Sequence, residues 1–137
     1  MKDLEIAKES LAGHTICLCR GAEKIYSEER GIKPLMCFIG RGLDLTGYSA
    51  ADVVVGKAAA LLFAKCKVKA VYAKVLSLSG KDVFEKFGIE YSYGELVEKI
   101  INRAGDDICP MEKAVLFTDD PDKAYEILKN KITPRGN

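Results

Sequence analysis

The 137-residue chain holds one histidine, shows no excess of either charge and has no long unbroken apolar run. Each shortage removes a class of function. With His14 as the one histidine, a cysteine nucleophile elsewhere has no imidazole base unless the N-terminal region folds back onto it. Lysine and arginine number 21 against 20 acidic residues, so no field of one sign draws in a polyanion and nucleic acid is not an expected partner. The most apolar stretch, Val53 to Ala64, is interrupted by Gly56 and Lys57, and the opening MKDLEIAKES is charged throughout. Neither a membrane span nor a signal peptide is expected, so the protein is expected in the cytoplasm with no membrane partner. No linker, repeat or low-complexity tract divides the sequence, which predicts one domain over 1–137 with 133–137 as a frayed tail. Five cysteines form an odd set scattered through apolar stretches, the usage of reduced, buried thiols rather than of a disulfide framework.

What is present reads as alternating elements. Leu4, Ala7 and Leu11 recur at helical spacing before Gly13, and 15–20 and 23–27 form two short strands around Gly21-Ala22, a hairpin. Residues 31–42 read as a short helix or turn between glycines. Ser49 with Asp52 three residues on resembles a capping box, which predicts a buried central helix over 53–63. A strand follows over 68–77, a helix over 81–87 before Gly88, and a strand over 89–93. Leu96, Val97, Ile100 and Ile101 predict a further helix ending near Gly105; Pro110 opens a short helix, and Asp120-Pro121 caps the last one. A strand-helix-strand crossover predicts a partly parallel sheet covered on both faces, a three-layer α/β/α sandwich with a mixed sheet.

Three ordered segments, Asp52-Val-Val-Val-Gly-Lys-Ala-Ala-Ala-Leu-Leu62, Ile101-Asn-Arg-Ala-Gly105 and Cys109-Pro-Met-Glu112, resemble an uncharacterised prokaryotic family with a cytidine-deaminase-like fold. The resemblance implies that fold and supplies no activity. Zinc deaminases carry H-x-E at the start of one helix and P-C-x-x-C at the start of the next. In this chain Val55 and Lys57 stand where the metal ligand and the glutamate would be, and the helix after the 68–77 strand has no cysteine. Valine ligates no metal and a protonated lysine is no base, so neither a metal site nor any other cofactor is expected.

Lys57 is the most informative residue, because a charge among Val53, Val54, Ala60 and Leu61 needs a reason. It either reaches solvent or a carboxylate such as Asp52 or Glu112, or it faces a ligand. Gly56 costs about 1 kcal/mol inside a helix, which close packing or a close ligand would offset. Asp52 either caps the helix or orients a substrate. Cys109 at a helix start is a candidate thiolate nucleophile with Glu112 as acid or base one turn on, or else an inert packed thiol. Asn102 and Arg103 are candidates for a phosphate or carboxylate, with dipole stabilisation as the structural role for Arg103. Cys17 and Cys19 share a strand face, with too few ligands for a metal site, and read as core packing, and Tyr91 and Tyr93 read as cross-strand packing.

Two functions fit these residues. One is a metal-independent protein binding a small anionic or nucleotide-like molecule, with Lys57, Cys109 and Glu112 as candidate catalytic groups and Asp52, Asn102 and Arg103 as ligand-binding groups. The other is a non-catalytic sensing or interaction module in which the same motifs are structural. Self-association into a homo-oligomer is an expectation that the resemblance carries.

Overall fold

The structure is a computed structural model that describes residues 3–102 and 104–132, so the expected tail at 133–137 lies outside the described residues. Helix α1 (Asp3–Ser10) leads into the hairpin β1 (Ile16–Arg20) and β2 (Glu23–Ser27), turned by Gly21 at φ +61°. Then come α2 (Lys33–Gly40), β3 (Ser49–Val55), α3 (Lys57–Cys66), β4 (Ala70–Ser77), α4 (Leu78–Phe87), β5 (Glu90–Val97), α5 (Pro110–Ala114) and α6 (Pro121–Ile132). The five strands form one mixed sheet in the order β2-β1-β3-β4-β5. β1 runs antiparallel to both neighbours, whereas β3, β4 and β5 are mutually parallel. The mixed α/β architecture read from the sequence is the one found.

Two predicted helices are corrected. Residues 49–55 are the central strand β3, and the helix begins only at Lys57. Three consecutive β-branched valines at 53–55 favour an extended chain, which outweighs the capping-box spacing of Ser49 and Asp52. Gly56 is therefore not inside a helix; it is the extended residue before α3, at φ −107° and ψ −165°. Leu96 and Val97 likewise end β5, in register with Leu76 and Ser77, and the segment beyond them is a loop closed by a bridge between Ile101 and Ile108. Four apolar residues at helical spacing are here two strand residues and two loop residues.

Each sheet face buries its own cluster, which makes three layers. On one face Phe63, Leu61, Leu62, Phe84, Leu35 and Leu128 from α2, α3, α4 and α6 pack against Ile16, Leu18, Val71 and Leu76. On the other, Ala7 and Leu11 in and just after α1 cover Cys17, Cys19 and Ala51, with Val53 and Tyr72 alongside. At about 25 cal/mol per Å² of buried apolar surface, the first cluster is the larger source of stability. Cys37 is exposed and Cys66 and Cys109 are half-buried, so burial of the thiols holds fully only for Cys17 and Cys19. Among the described residues no helix is long and apolar enough to cross a membrane.

Candidate functional site

Three parallel strands end on the same side of the sheet, and α3 and α4 both start there, immediately after β3 and β4. In open α/β sheets this carboxyl end is where loops and helix N-termini converge on ligands. The two helix starts are closed differently. Ser77 caps α4 from within: its hydroxyl accepts from the Gly80 N–H at 3.0 Å and lies 3.1 Å from the Ser79 hydroxyl. Gly56, before α3, has no side chain to do this, and Glu112 of α5 does it instead. The Glu112 carboxylate accepts from the Lys57 N–H through Oε1 and from the Ala58 N–H through Oε2, each at 2.8 Å.

That contact explains the glycine. A Cβ on Gly56 would lie 2.4 Å from Glu112 Oε1 and 2.5 Å from its Cδ, so any side chain there evicts the carboxylate. The backbone angles of Gly56 are open to any residue; the requirement is for space. Gly80 repeats the theme at the start of the neighbouring helix, since a Cβ there would meet the Gly56 carbonyl oxygen at 3.1 Å and would press on the start of α3.

Lys57 extends past this cap. Its ammonium donates to the Leu116 carbonyl at 3.0 Å and pairs with Asp119 at 3.1 Å, with the side chain 14% exposed. Its partner is thus neither Asp52 nor Glu112. Lys57 and, further off, Lys86 hold the Asp119 carboxyl below its ordinary range. A cleft of about 500 Å³ opens beside Lys57, with apolar walls from Leu78, Ile100, Ile108 and Leu116 and polar groups from Ser79, Asp82, Glu98, Lys99 and Glu112. A smaller recess of about 260 Å³ shares Lys57, Ser79 and Asp82 and adds Lys86 and Asp119.

Of the residues singled out from the sequence, Lys57 and Glu112 come together at this cleft. Cys109 precedes the five-residue helix α5, its side chain caps nothing, and it is not among the cleft's lining residues. Asp52 is buried in the middle of β3, paired with Ile16 and Ala73 across the sheet, and its carboxylate accepts from the Val53 N–H at 2.8 Å. It neither caps α3 nor lines the cleft. Burial, working against that hydrogen bond, pushes its carboxyl up to about 8. Asn102 closes a turn and ends no helix: its side-chain oxygen accepts from the Gly105 and Asp106 N–H groups, and its amide donates to Asp106 at 3.0 Å. Arg103 lies outside the described residues. Sequence reasoning missed Ser79, Asp82, Glu98, Lys99 and Asp119. The Ser77-x-Ser79-Gly80 run at the start of α4 was a legible capping signal, but nothing local marks the other four.

The arrangement defines an α/β protein with a candidate ligand cleft at the carboxyl ends of its parallel strands. The sequence profile of TM1506, a domain of unknown function (DUF1893), matches residues 6–132, and the chain belongs to that family. It is similar to a solved structure, that of a DUF1893 family protein (TM1506) from Thermotoga maritima, at 29% identity over 96% of this chain and 92% of that one, with a TM-score of 0.86. No curated protein matches.

Proposed function

We propose that the protein is a single-domain, metal-independent member of the deaminase-fold class that binds a small anionic or nucleotide-like molecule in the cleft beside Lys57. The observation that carries this reading is Lys57 itself, a largely buried ammonium held by the Leu116 carbonyl and Asp119 beside a cleft that four apolar and five polar residues line with it. Apolar walls at Leu78, Ile100, Ile108 and Leu116 suit a flat ring, while Lys57, Lys99 and the Ser79 hydroxyl suit an anionic group attached to it. Zinc chemistry does not fit the groups present. Val55 is fully buried, Lys57 is a cation, Ser77 is spent on its helix, and both oxygens of Glu112 are taken by backbone N–H groups. Among the described residues no three of His, Cys, Asp and Glu gather as metal ligands. In this reading Glu112 positions Lys57 by fixing the first turn of α3, and Cys109 has no assigned step.

A second reading, an interaction module, is favoured by one observation. Phe117 is 97% exposed, and Leu116, Leu78 and Ile101 are also exposed on or beside the cleft walls. A thermal-shift panel of nucleotides, nucleosides and sugar phosphates on wild type and Lys57→Ala separates the two. A ligand present at a hundred times its Kd adds about 2.7 kcal/mol of stability, which for a chain of this length is a shift of roughly 8–10 °C. The ligand reading expects that shift in wild type and its loss in Lys57→Ala with the unliganded melting point little changed. No shift from any compound, together with Lys57→Ala altering only sedimentation behaviour, would favour the module.

A further inference from the structure

On the sheet face away from the cleft, Cys17 and Cys19 stand two positions apart on β1, so both side chains point toward α1. Both are fully buried, and their Sγ atoms lie 4.0 Å apart. Residues two apart on a strand have Cα atoms about 6.6–6.8 Å apart, the far limit of what a disulfide spans. The ladder holds both positions there, with Cys17 between Tyr26 and Ala51 and Cys19 between Lys24 and Ser49. The 4.0 Å separation is that of an S–H···S contact between the two thiols, and it leaves a span that a bridging atom fits and a disulfide bond does not. Metal–sulfur bonds of roughly 2.3 Å meeting at about 120° span about 4.0 Å, and a linear S–M–S unit needs each sulfur to move outward by only about 0.3 Å.

The identity of the bridging ion follows from what else is near. Zinc in a structural site takes four ligands, and among the described residues no third His, Cys, Asp or Glu joins this pair. Soft thiolates select Cu(I), a closed-shell monovalent ion that two of them satisfy. We propose that Cys17 and Cys19 form a two-coordinate thiolate site for a soft monovalent cation of the Cu(I) type, reached by local opening of α1.

On binding, each thiol releases its proton to solvent and each sulfur donates an electron pair to the ion, so no redox step occurs and the complex carries one negative charge. Lys24, paired with Cys19 across the hairpin, and the Ser10 hydroxyl, which hydrogen-bonds Cys17, both favour that charge. Burial, with Cys19 adding to it, pushes the Cys17 thiol up to about 12, which removes it as a nucleophile at neutral pH but not as a ligand, because a metal displaces the proton. The cover can move: α1 is eight residues long, anchored by Ala7, by Lys8 over the Tyr72 ring at 4.6 Å and by an exposed Asp3 contact to the Gly21 N–H. Such a segment opens at less than the cost of global unfolding.

The test uses the full reduced chain without oxygen, titrated into Cu(I) held by bicinchoninate, whose colour fades as protein withdraws the ion. Wild type and a Cys37→Ala/Cys66→Ala/Cys109→Ala variant are both expected to withdraw one ion per chain, and Cys17→Ala/Cys19→Ala to lose it. X-ray absorption on the copper-loaded variant that retains only Cys17 and Cys19 is expected to show two sulfur neighbours and no nitrogen or oxygen. This measurement stands even where the buried double variant fails to fold. Unchanged colour with that two-cysteine variant, or a copper shell richer in nitrogen or oxygen than in sulfur, overturns the proposal.

Discussion

The starts of α3 and α4 lie against each other through Gly56 and Gly80, yet they are completed from different distances along the chain. α4 is capped by Ser77, the residue before its first turn. α3 is capped by Glu112, 55 positions away, because Gly56 offers no side chain and cannot be given one without evicting the carboxylate. The first cap is local and forms with the helix. The second exists only once α5 has folded back over the sheet, so it ties the CPME segment to the motif containing Lys57 and makes the candidate site depend on tertiary structure.

The strongest way to break this contrast is at Gly56. Hydrogen bonds to a charged acceptor contribute about 1.5–3 kcal/mol each, and stranded donors add to the loss. Gly56→Ala is expected to cost about 3 kcal/mol, read as a fall in the urea midpoint, because the carboxylate of a flexible side chain moves away and leaves the Lys57 and Ala58 N–H groups unpaired. Glu112→Ala removes the same contact and is expected to cost about 2–3 kcal/mol. The decisive measurement is the double variant. If one contact underlies both effects, Gly56→Ala/Glu112→Ala costs little more than either single change; additive costs would mean that Gly56 and Glu112 act separately.

Asp52 sharpens the comparison by the sign of a slope. The folded chain keeps a proton on Asp52 up to about pH 8, whereas the unfolded chain releases it near pH 4. Between those values the folded state binds more protons, so this residue makes stability fall as pH rises. A capping carboxylate, held low by N–H groups, would give the opposite slope. Asp52→Asn is expected to flatten the decline and to leave the protein more stable than wild type near pH 8, with no difference below about pH 4. Asp119 and Asp122, held low by Lys57 and Lys65, act in the other direction, but both are exposed and screened. A gain that grew as pH fell would return Asp52 to a capping role.

The sequence was legible wherever the deciding interaction is short-range. The hairpin at Gly21-Ala22, the helix ending at Gly88 and the last helix opening at Asp120-Pro121 all stand where turn and cap residues put them. It misled at 53–55, where a capping-like spacing competed with three β-branched residues, and at 96–101, where apolar residues of an edge strand and its following loop fell at helical intervals by coincidence. Lys57 was singled out as a charge in apolar surroundings, but its partner Asp119 lies 62 positions on, and no local pattern names it. Beside Cys109, Glu112 reads from the sequence alone as an acid or base. Its position over α3 depends on the 98–108 connection, whose turn is built by Asn102 and whose course no periodicity encodes.

The smallest expected effect tests the local half of the contrast. Ser77→Ala removes one neutral hydroxyl that accepts from the Gly80 N–H, and N-cap losses of this kind cost about 1 kcal/mol. Ser79 is close enough to inherit part of the role, since the two hydroxyls lie 3.1 Å apart, so the single change is expected to fall below that figure and Ser77→Ala/Ser79→Ala to reach it. Neither substitution touches Glu112, and α3 is expected to keep its cap. Amide exchange at Lys57 and Ala58 should therefore stay slow in Ser77→Ala and become fast in Glu112→Ala. If Ser77→Ala also frees those two amides, the helix starts are coupled through the Gly56–Gly80 contact, and the cap of α3 is less independent of its neighbour than their separate partners imply.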